Sequence, residues 1–167
     1  MTRKEIVNHL IDIYVAKNKD YGNSAHLTYV EFGEVALVIR ISDKLSRLRT
    51  LMLSGEQNVK DESIADTIGD AVTYLCMLAA EVNCDIPDIP DTERMTMSEN
   101  IEETVNYLEL LIDDDIKCVV PVDDMGYYRE MLIAIWKGIA DPEVRIDEYL
   151  NLAGMLLAEL EWRVSKK

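Results

Sequence analysis

The sequence predicts an all-α protein, a helical bundle with an additional C-terminal helical segment. Two observations carry this prediction. Apolar residues recur every three or four positions along most of the chain, which is the period of an amphipathic helix. Turn-forming and proline-rich stretches interrupt that pattern at intervals expected of helix boundaries. One short stretch, "IKCVVPV", has strand-like composition, but its proline argues against a strand.

The helices and their boundaries follow from the same pattern. The predicted helices span residues 3–18, 27–53, 60–84, 98–113, about 124–139 and about 145–165. The breakers between them include "DYGNS", "SGEQN", "CDIPDIPDTER" and "ADPE". The proline-rich breaker divides the chain into a helical core over 1–84, a linker over 85–97 and an acidic helical segment over 98–167. The acidic segment either completes or extends the bundle.

Length and apolar content point to one globular domain outside the membrane. The chain has 167 residues, 49% hydrophobic and 29% charged, enough for a substantial hydrophobic core. Its longest apolar runs are about ten residues, roughly half of what a bilayer crossing needs. The N-terminal stretch "MTRKEIVNHLIDIYVAKNK" has charges throughout and lacks the apolar region of a secretory signal. We therefore expect a cytoplasmic protein without a membrane span.

The charge distribution disfavours a nucleic-acid groove. Residues 1–84 carry 12 acidic and 9 basic side chains, whereas residues 85–167 carry 20 acidic and 8 basic ones. An acidic second half repels a phosphate backbone. The basic residues concentrate in one predicted helix, as Arg40, Lys44, Arg47 and Arg49. They suit either a small polyanion such as a nucleoside triphosphate or a solvated helix face.

Cysteine and histidine usage restricts the metal chemistry. The three cysteines have no CxxC spacing and the two histidines are far apart, which argues against a disulfide framework and a zinc site. Any metal must therefore take oxygen ligands, which favours Mg²⁺ or Mn²⁺.

A glutamate interrupts the apolar stripe of the predicted helix over 27–53. At about 100° per residue, Glu34 falls between Ile41 and Val38, and Glu31 lies one turn away at the edge of the stripe. A buried carboxylate without a partner is very costly, so Glu34 needs a cation, a hydrogen-bond network or a raised pKa.

The next predicted helix carries matching acids. Glu62, Asp66 and Asp70 are spaced four residues apart and form one ridge. On adjacent antiparallel helices, this ridge and the Glu31–Glu34 pair can converge on one or two divalent ions. The alternative is that acids near the helix start stabilise the helix dipole and that Arg or Lys side chains pair with the rest.

These acidic stretches resemble a known superfamily. "EFGE" followed by "DESIADTIGDAVTYL" is similar to the Glu-x-x-Glu and Glu-x-x-Asp motif of the all-α nucleoside triphosphate pyrophosphatases, the MazG-like superfamily. Asp70 aligns with the final Asp, whereas Thr67 stands where that motif has Glu. "KNKDYGNSAH" and "RISDKLSRL" are more specifically similar to the phage nucleotide-modification-associated domain. The resemblance covers residues 10–84.

The resemblance implies a four-helix core that forms a homodimer or homotetramer and cleaves a nucleoside triphosphate between its α and β phosphates, in phage nucleotide metabolism within a bacterial host. It implies that Mg²⁺ or Mn²⁺ binds through Glu31, Glu34, Glu62, Asp66 and Asp70. Glu34 or Glu31 is then expected to orient the attacking water. The expected substrate-binding residues are Lys19, Tyr21, Asn23, Arg40, Lys44, Arg47 and Tyr74.

Thr67 leaves two other functions open. Loss of one metal ligand affects catalysis more than binding. The first alternative is therefore a phage protein that binds or sequesters a nucleotide without hydrolysing it. The third possibility is a protein-interaction factor whose acidic second half mimics nucleic acid toward a basic target.

Overall fold

The described residues of the chain form seven α-helices and a short 3-10 helix, without a strand. The computed structural model describes residues 1–57, 63–85, 97–116 and 126–166, excluding the side chains of 97–99. The helices are α1 (Arg3–Tyr21), α2 (Ser24–Phe32), α3 (Glu34–Ser54), α4 (Ile64–Cys84), α5 (Met97–Leu110), α6 (Gly126–Gly138) and α7 (Pro142–Ser165), with the 3-10 helix over Leu111–Asp113. The predicted all-α class is confirmed. Most of the predicted linker over 85–97, together with Cys118, lies outside the described residues.

Side-chain caps define where the main helices begin. α1 starts with a capping box, in which Thr2 and Glu5 bond each other's backbone N–H groups. α4 starts with the same device, formed by Ser63 and Asp66. Asp141 caps α7 by accepting from the backbone N–H of Glu143.

The predicted helix over 27–53 is in fact two helices, because the chain breaks at Gly33. Gly33 has φ 80° and ψ −169°, a conformation that side-chain-bearing residues rarely adopt. The phase relation expected between Glu31 and Glu34 therefore does not hold. Glu31 belongs to α2, whereas Glu34 is the first residue of α3.

One hydrophobic core joins the two halves of the chain. α4 makes its most extensive contacts with α7 and also packs on α3 and α5. Apolar side chains of α4 and α7, such as Leu75 and Leu156, are fully buried in the same cluster as those of α3. The C-terminal helix thus supplies much of the surface on which the N-terminal helices pack. Within the described ranges, no helix is both long and apolar enough to cross a membrane.

Candidate functional site

A cavity of about 850 Å³ opens between α1, α3 and α4, bordered by the start of α2 and the end of α7. This volume is in the range of small-molecule binding sites. Its wall combines cations, acids and aromatic rings, notably Lys17, Arg40, Lys44, Asp66, Asp70 and Tyr74. Four of the predicted substrate-binding residues line it, namely Tyr21, Arg40, Lys44 and Tyr74.

Two lysines converge on one carboxylate in this wall. Lys17 Nζ of α1 donates to Asp70 Oδ1 at 3.0 Å, and Lys44 Nζ of α3 donates to Asp70 Oδ2 at 2.9 Å. The Asp70 side chain is 20% exposed and that of Lys44 24% exposed, whereas that of Lys17 is 54% exposed, so only the Lys44–Asp70 pair is partly shielded from water. Positive charge from two helices is therefore concentrated beside the cavity.

Arg40 adds a third cation to the wall. Its guanidinium carbon lies 6.0 Å from the ring centroid of Tyr74, and its Nη2 donates to the Thr28 hydroxyl at 3.3 Å. Arg47, in contrast, is directed into the α3–α4 interface, where Nη1 donates to the buried Thr67 hydroxyl at 2.5 Å. Arg47 thus stabilises the helix pair and is not among the residues that line the cavity.

Asp66 presents a second carboxylate to the cavity, one helical turn from Asp70. Its Oδ2 accepts from the Ser63 backbone N–H at 3.0 Å and from the Ser63 hydroxyl at 2.6 Å. These hydrogen bonds lower the pKa of Asp66, so the carboxylate is ionised at neutral pH.

Glu34 lies elsewhere and has a protein cation as its partner. Arg145 of α7 donates to both carboxylate oxygens, through Nε at 3.1 Å and Nη2 at 3.2 Å. The Tyr149 hydroxyl donates to Oε1 at 2.6 Å. Burial and the neighbouring Glu34 raise the pKa of Tyr149, which keeps this donor protonated. The partner expected for Glu34 is thus an arginine of the bundle, the alternative that the sequence left open.

The helix register separates the two acidic pairs. Lys44 meets Asp70 and Arg47 meets Thr67, so α3 and α4 run antiparallel. Continuing this pairing places Glu34 beside residue 80 of α4. At 1.5 Å per residue that level is about 15 Å along the helix from Asp70. At this register Glu34 does not meet Asp66 and Asp70, so the expected convergence of the two acidic pairs on a divalent ion does not occur.

The predicted metal ligands are consequently spread out. Glu31 is exposed on α2, and Glu62 lies outside the described residues. In the part of the chain that the structure describes, no three His, Cys, Asp or Glu side chains are grouped closely enough to share a metal ion. What the cavity does hold is the pair Asp66 and Asp70. Two carboxylates would hold Mg²⁺ only if phosphate oxygens of a ligand completed its coordination.

Two of the other predicted substrate residues take different positions. Lys19 is exposed near the end of α1 and is not among the residues lining the cavity. Asn23 is only 2% exposed, in the turn between α1 and α2.

Sequence reasoning missed Lys17, although a signal for it exists. Lys17 follows Tyr14 by three residues and precedes Tyr21 by four, which places all three on one face of α1. The same three residues line the cavity.

A separate polar network ties α2, α4 and α5 together. His26 Nδ1 lies 2.9 Å from Glu81 Oε1, and Asn100 Nδ2 donates to the same oxygen at 2.6 Å. Glu81 is 3% exposed, and burial raises the pKa of its carboxyl. The network buries an acid that the sequence pattern did not single out.

Comparisons with protein-family models, with curated proteins and with solved structures found no match for this chain.

Proposed function

We propose that the cavity binds a nucleoside triphosphate. The observation that carries this proposal is the pair of lysines, Lys17 and Lys44, gathered from two helices onto Asp70 in the wall of a cavity large enough for such a ligand. Arg40 brings a third positive charge to the same wall. Three cations around one concave site suit a polyanion better than a neutral ligand.

The phosphates would replace Asp70 as the partner of the lysines. Lysine binds phosphate oxygens through short charge-assisted hydrogen bonds, and its flexible stem allows it to turn from a carboxylate to a ligand. The aromatic side of the cavity offers surfaces for a base, through Tyr74 and the 70% exposed Tyr21. One cavity thus offers cations for the phosphates and aromatic rings for the base of a nucleotide.

Asp66 and Asp70 are the residues that would hold Mg²⁺ or Mn²⁺ together with the phosphates. The ion would neutralise phosphate charge. Asp66 contributes a carboxylate kept ionised by Ser63, and Asp70 would become available to the ion once the phosphates had replaced it as the partner of the two lysines.

A second candidate function is hydrolysis of the bound nucleotide to a monophosphate and pyrophosphate. The observation that favours it is that these two carboxylates lie beside the cations that would hold the phosphates. Water would form a bond to the α phosphorus as the bond from that phosphorus to the α–β bridging oxygen breaks, and pyrophosphate would leave. Glu34 pairs with Arg145 and lies far along α3 from Lys44, so it is poorly placed to orient an attacking water. This arrangement supports nucleotide binding more strongly than hydrolysis.

Two further proposals rest on the resemblance alone. One is that the protein forms a homodimer or homotetramer, and the other is that it acts in phage nucleotide metabolism. The interaction-factor alternative, with an acidic second half that mimics nucleic acid, requires no nucleotide binding by the cavity.

Titration calorimetry with each common ribo- and deoxyribonucleoside triphosphate, with and without Mg²⁺, tests the proposal. We expect binding that weakens about tenfold or more in Lys44→Ala. Lys19→Ala is the matched control, because it removes an exposed lysine outside the cavity wall. Chromatography of the same mixtures separates the candidates, since products appear only if hydrolysis occurs. Absence of binding by all the triphosphates would contradict the proposal and favour the interaction factor.

A further inference from the structure

The cavity that contains Lys17 and Lys44 continues beyond them into an apolar end. This apolar end is lined by residues of three helices, namely Ile6, Leu10, Ala65, Leu160 and Val164. Ile6, Leu10 and Leu160 are buried and belong to the hydrophobic core, so they give this end a firmly packed floor. Ala65 and Val164 are half-buried and are its more accessible members.

The position of each group along α4 gives the order of the surfaces in the cavity. At a rise of about 1.5 Å per residue, Ala65 lies about 7.5 Å before Asp70 along the helix axis, and Tyr74 lies about 6 Å after it. All three residues line the cavity. The apolar end and the aromatic surface of Tyr74 are therefore separated by the carboxylate that holds the two lysines.

Contacts at Gly69 bring the apolar end next to these lysines. A Cβ placed on Gly69 would lie 2.7 Å from Leu10 Cδ2 and 4.0 Å from Leu160 Cδ2. Side chains of α1 and α7 thus meet over Gly69, which immediately precedes Asp70 in α4. A group attached to a phosphate at the lysines would reach this apolar surface without leaving the cavity.

A plain nucleoside triphosphate does not match the apolar end. With its base against Tyr74 and its phosphates at Lys17 and Lys44, only a charged terminal phosphate remains to face the apolar residues. No side chain of the apolar end can pair with a phosphate oxygen, and placing an ionised group against such a surface is unfavourable. An apolar group in the same place would gain free energy from its removal from water.

We infer that the apolar end binds an apolar group carried on the terminal phosphate of the nucleotide, an inference that rests on the proposed function. The ligand class is thus a nucleoside polyphosphate ester, with a base at one end, phosphates in the middle and an alkyl or aryl group at the other end. This order matches the order of aromatic, cationic and apolar surfaces along the cavity. The ester keeps negative charge on its phosphates, so Lys17 and Lys44 retain their anionic partners.

Ala65→Leu tests the inference by filling the apolar end. Leucine is a good helix former, and at this half-buried position its side chain would occupy space that the apolar group needs. We expect a melting temperature within about 3 °C of the wild type. Ala16→Leu is the matched control, because it makes the same substitution at an exposed position of α1 that does not line the cavity.

Val164→Thr is a second variant with a smaller structural effect. It keeps the size of the side chain and places a hydroxyl in the apolar end. If Ala65→Leu does not fold, Val164→Thr decides the outcome by the same assay.

The assay is titration calorimetry of the 167-residue protein with Mg²⁺ and the four common deoxyribonucleoside triphosphates. The triphosphate that binds most tightly is then compared with its γ-methyl and γ-hexyl esters. Both esters carry the same charge, so the ratio of their affinities measures the apolar group alone.

We expect the hexyl ester to bind about tenfold or more tightly than the methyl ester in the wild type and in Ala16→Leu. This ratio should fall to about twofold or less in Ala65→Leu, and by about threefold in Val164→Thr.

The outcomes distinguish the two proposals. If neither the triphosphates nor their esters bind to the wild type, the proposed function fails and the inference fails with it. If the triphosphates bind but the two esters have equal affinities, only the inference is overturned. A preference for the hexyl ester that persists in both Ala65→Leu and Val164→Thr also overturns it, because the apolar group then binds elsewhere.

Discussion

At the scale of single residues, Glu34 shows how a partly buried charge is stabilised by a residue distant in the sequence. Its side chain is 17% exposed, and Arg145 and Tyr149 satisfy both of its oxygens. The sequence predicted that this acid needs a partner, because it interrupts an apolar stripe. It could not predict which partner, since Arg145 lies 111 residues away and only tertiary packing brings it near.

Replacing Glu34 with Gln should destabilise the protein. The variant leaves the guanidinium of Arg145, whose side chain is 16% exposed, without its counter-charge. Removing one partner of a well-buried pair typically costs 3–5 kcal/mol, and the partial exposure here reduces the expected loss to about 2 kcal/mol. Urea denaturation at neutral pH in metal-free buffer measures the effect.

Glu31→Gln is the matched control for this experiment. Glu31 is exposed on α2, so its loss should change the free energy of unfolding by no more than about 0.5 kcal/mol. Equal stability of the wild type and Glu34→Gln would show that the pair with Arg145 contributes nothing. A gain in stability would show that Glu34 is a costly charge kept for another purpose.

Glu81 gives the protein a pH dependence of definite sign. Burial raises the pKa of this carboxyl above its ordinary value of 4.5, so the folded state holds a proton that the unfolded state releases. The stabilising contribution of this proton is therefore present below pH 4.5 and is lost as the pH rises through the folded-state pKa. Glu81→Gln cannot ionise and should not lose it.

Denaturation of the wild type and Glu81→Gln from pH 4 upward tests this expectation. The stability of the wild type should fall relative to the variant as the pH increases from 4.5. Glu31→Gln serves again as the exposed control. A difference between wild type and Glu81→Gln that is constant with pH would show that the pKa of Glu81 is not raised.

At the scale of elements, the break at Gly33 decides where two helices point. Its φ of 80° favours glycine, and a Cβ there would meet nothing within 4 Å, so any cost of Gly33→Ala comes from the backbone. We expect a loss of about 1–2 kcal/mol. Gly138→Ala is the control, because Gly138 is also in open space but has no positive φ. Chemical denaturation that gives equal effects for both variants would contradict the role of Gly33.

Helix periodicity identified most elements but not their register. The predicted helices over 3–18, 60–84 and 145–165 correspond to α1, α4 and α7, because their apolar faces are continuous. The break at Gly33 was not predicted, because a single glycine within an apolar pattern is compatible with a continuous helix. The pairing of Lys44 with Asp70 depends on how side chains of two helices interlock, and no local pattern contains that information.

At the scale of the whole molecule, the C-terminal helix belongs to the same core as residues 1–84. α7 makes the most extensive contacts with α4, and Gly154 and Leu157 are among its buried positions. A fragment of residues 1–85 would expose the apolar surface that α7 covers. We expect it to lack a cooperative thermal transition and near-ultraviolet circular dichroism, the signs of loose packing. A cooperative transition in this fragment would show that residues 1–85 fold independently.

The sequence predicted several of the charged and aromatic residues of the candidate site, but not the full set of residues that lie together there. Arg40, Lys44 and Tyr74 were expected to bind a substrate because of the resemblance, and Asp70 was expected to bind a metal; all four line the cavity. The sequence also placed Glu34 there, because acids of two neighbouring helices were assumed to meet. The antiparallel register directs Glu34 to the far end of α4 instead.

The most direct measurement of the central claim is a map of amide chemical-shift changes when a nucleoside triphosphate is added to the labelled protein. We predict that the changes concentrate at the cavity, around Lys17, Arg40, Lys44 and Asp70, and that Lys44→Ala reduces them. Changes centred on Glu34 or on the acidic helix α5, or no changes at millimolar nucleotide, would contradict a nucleotide site between α1, α3 and α4.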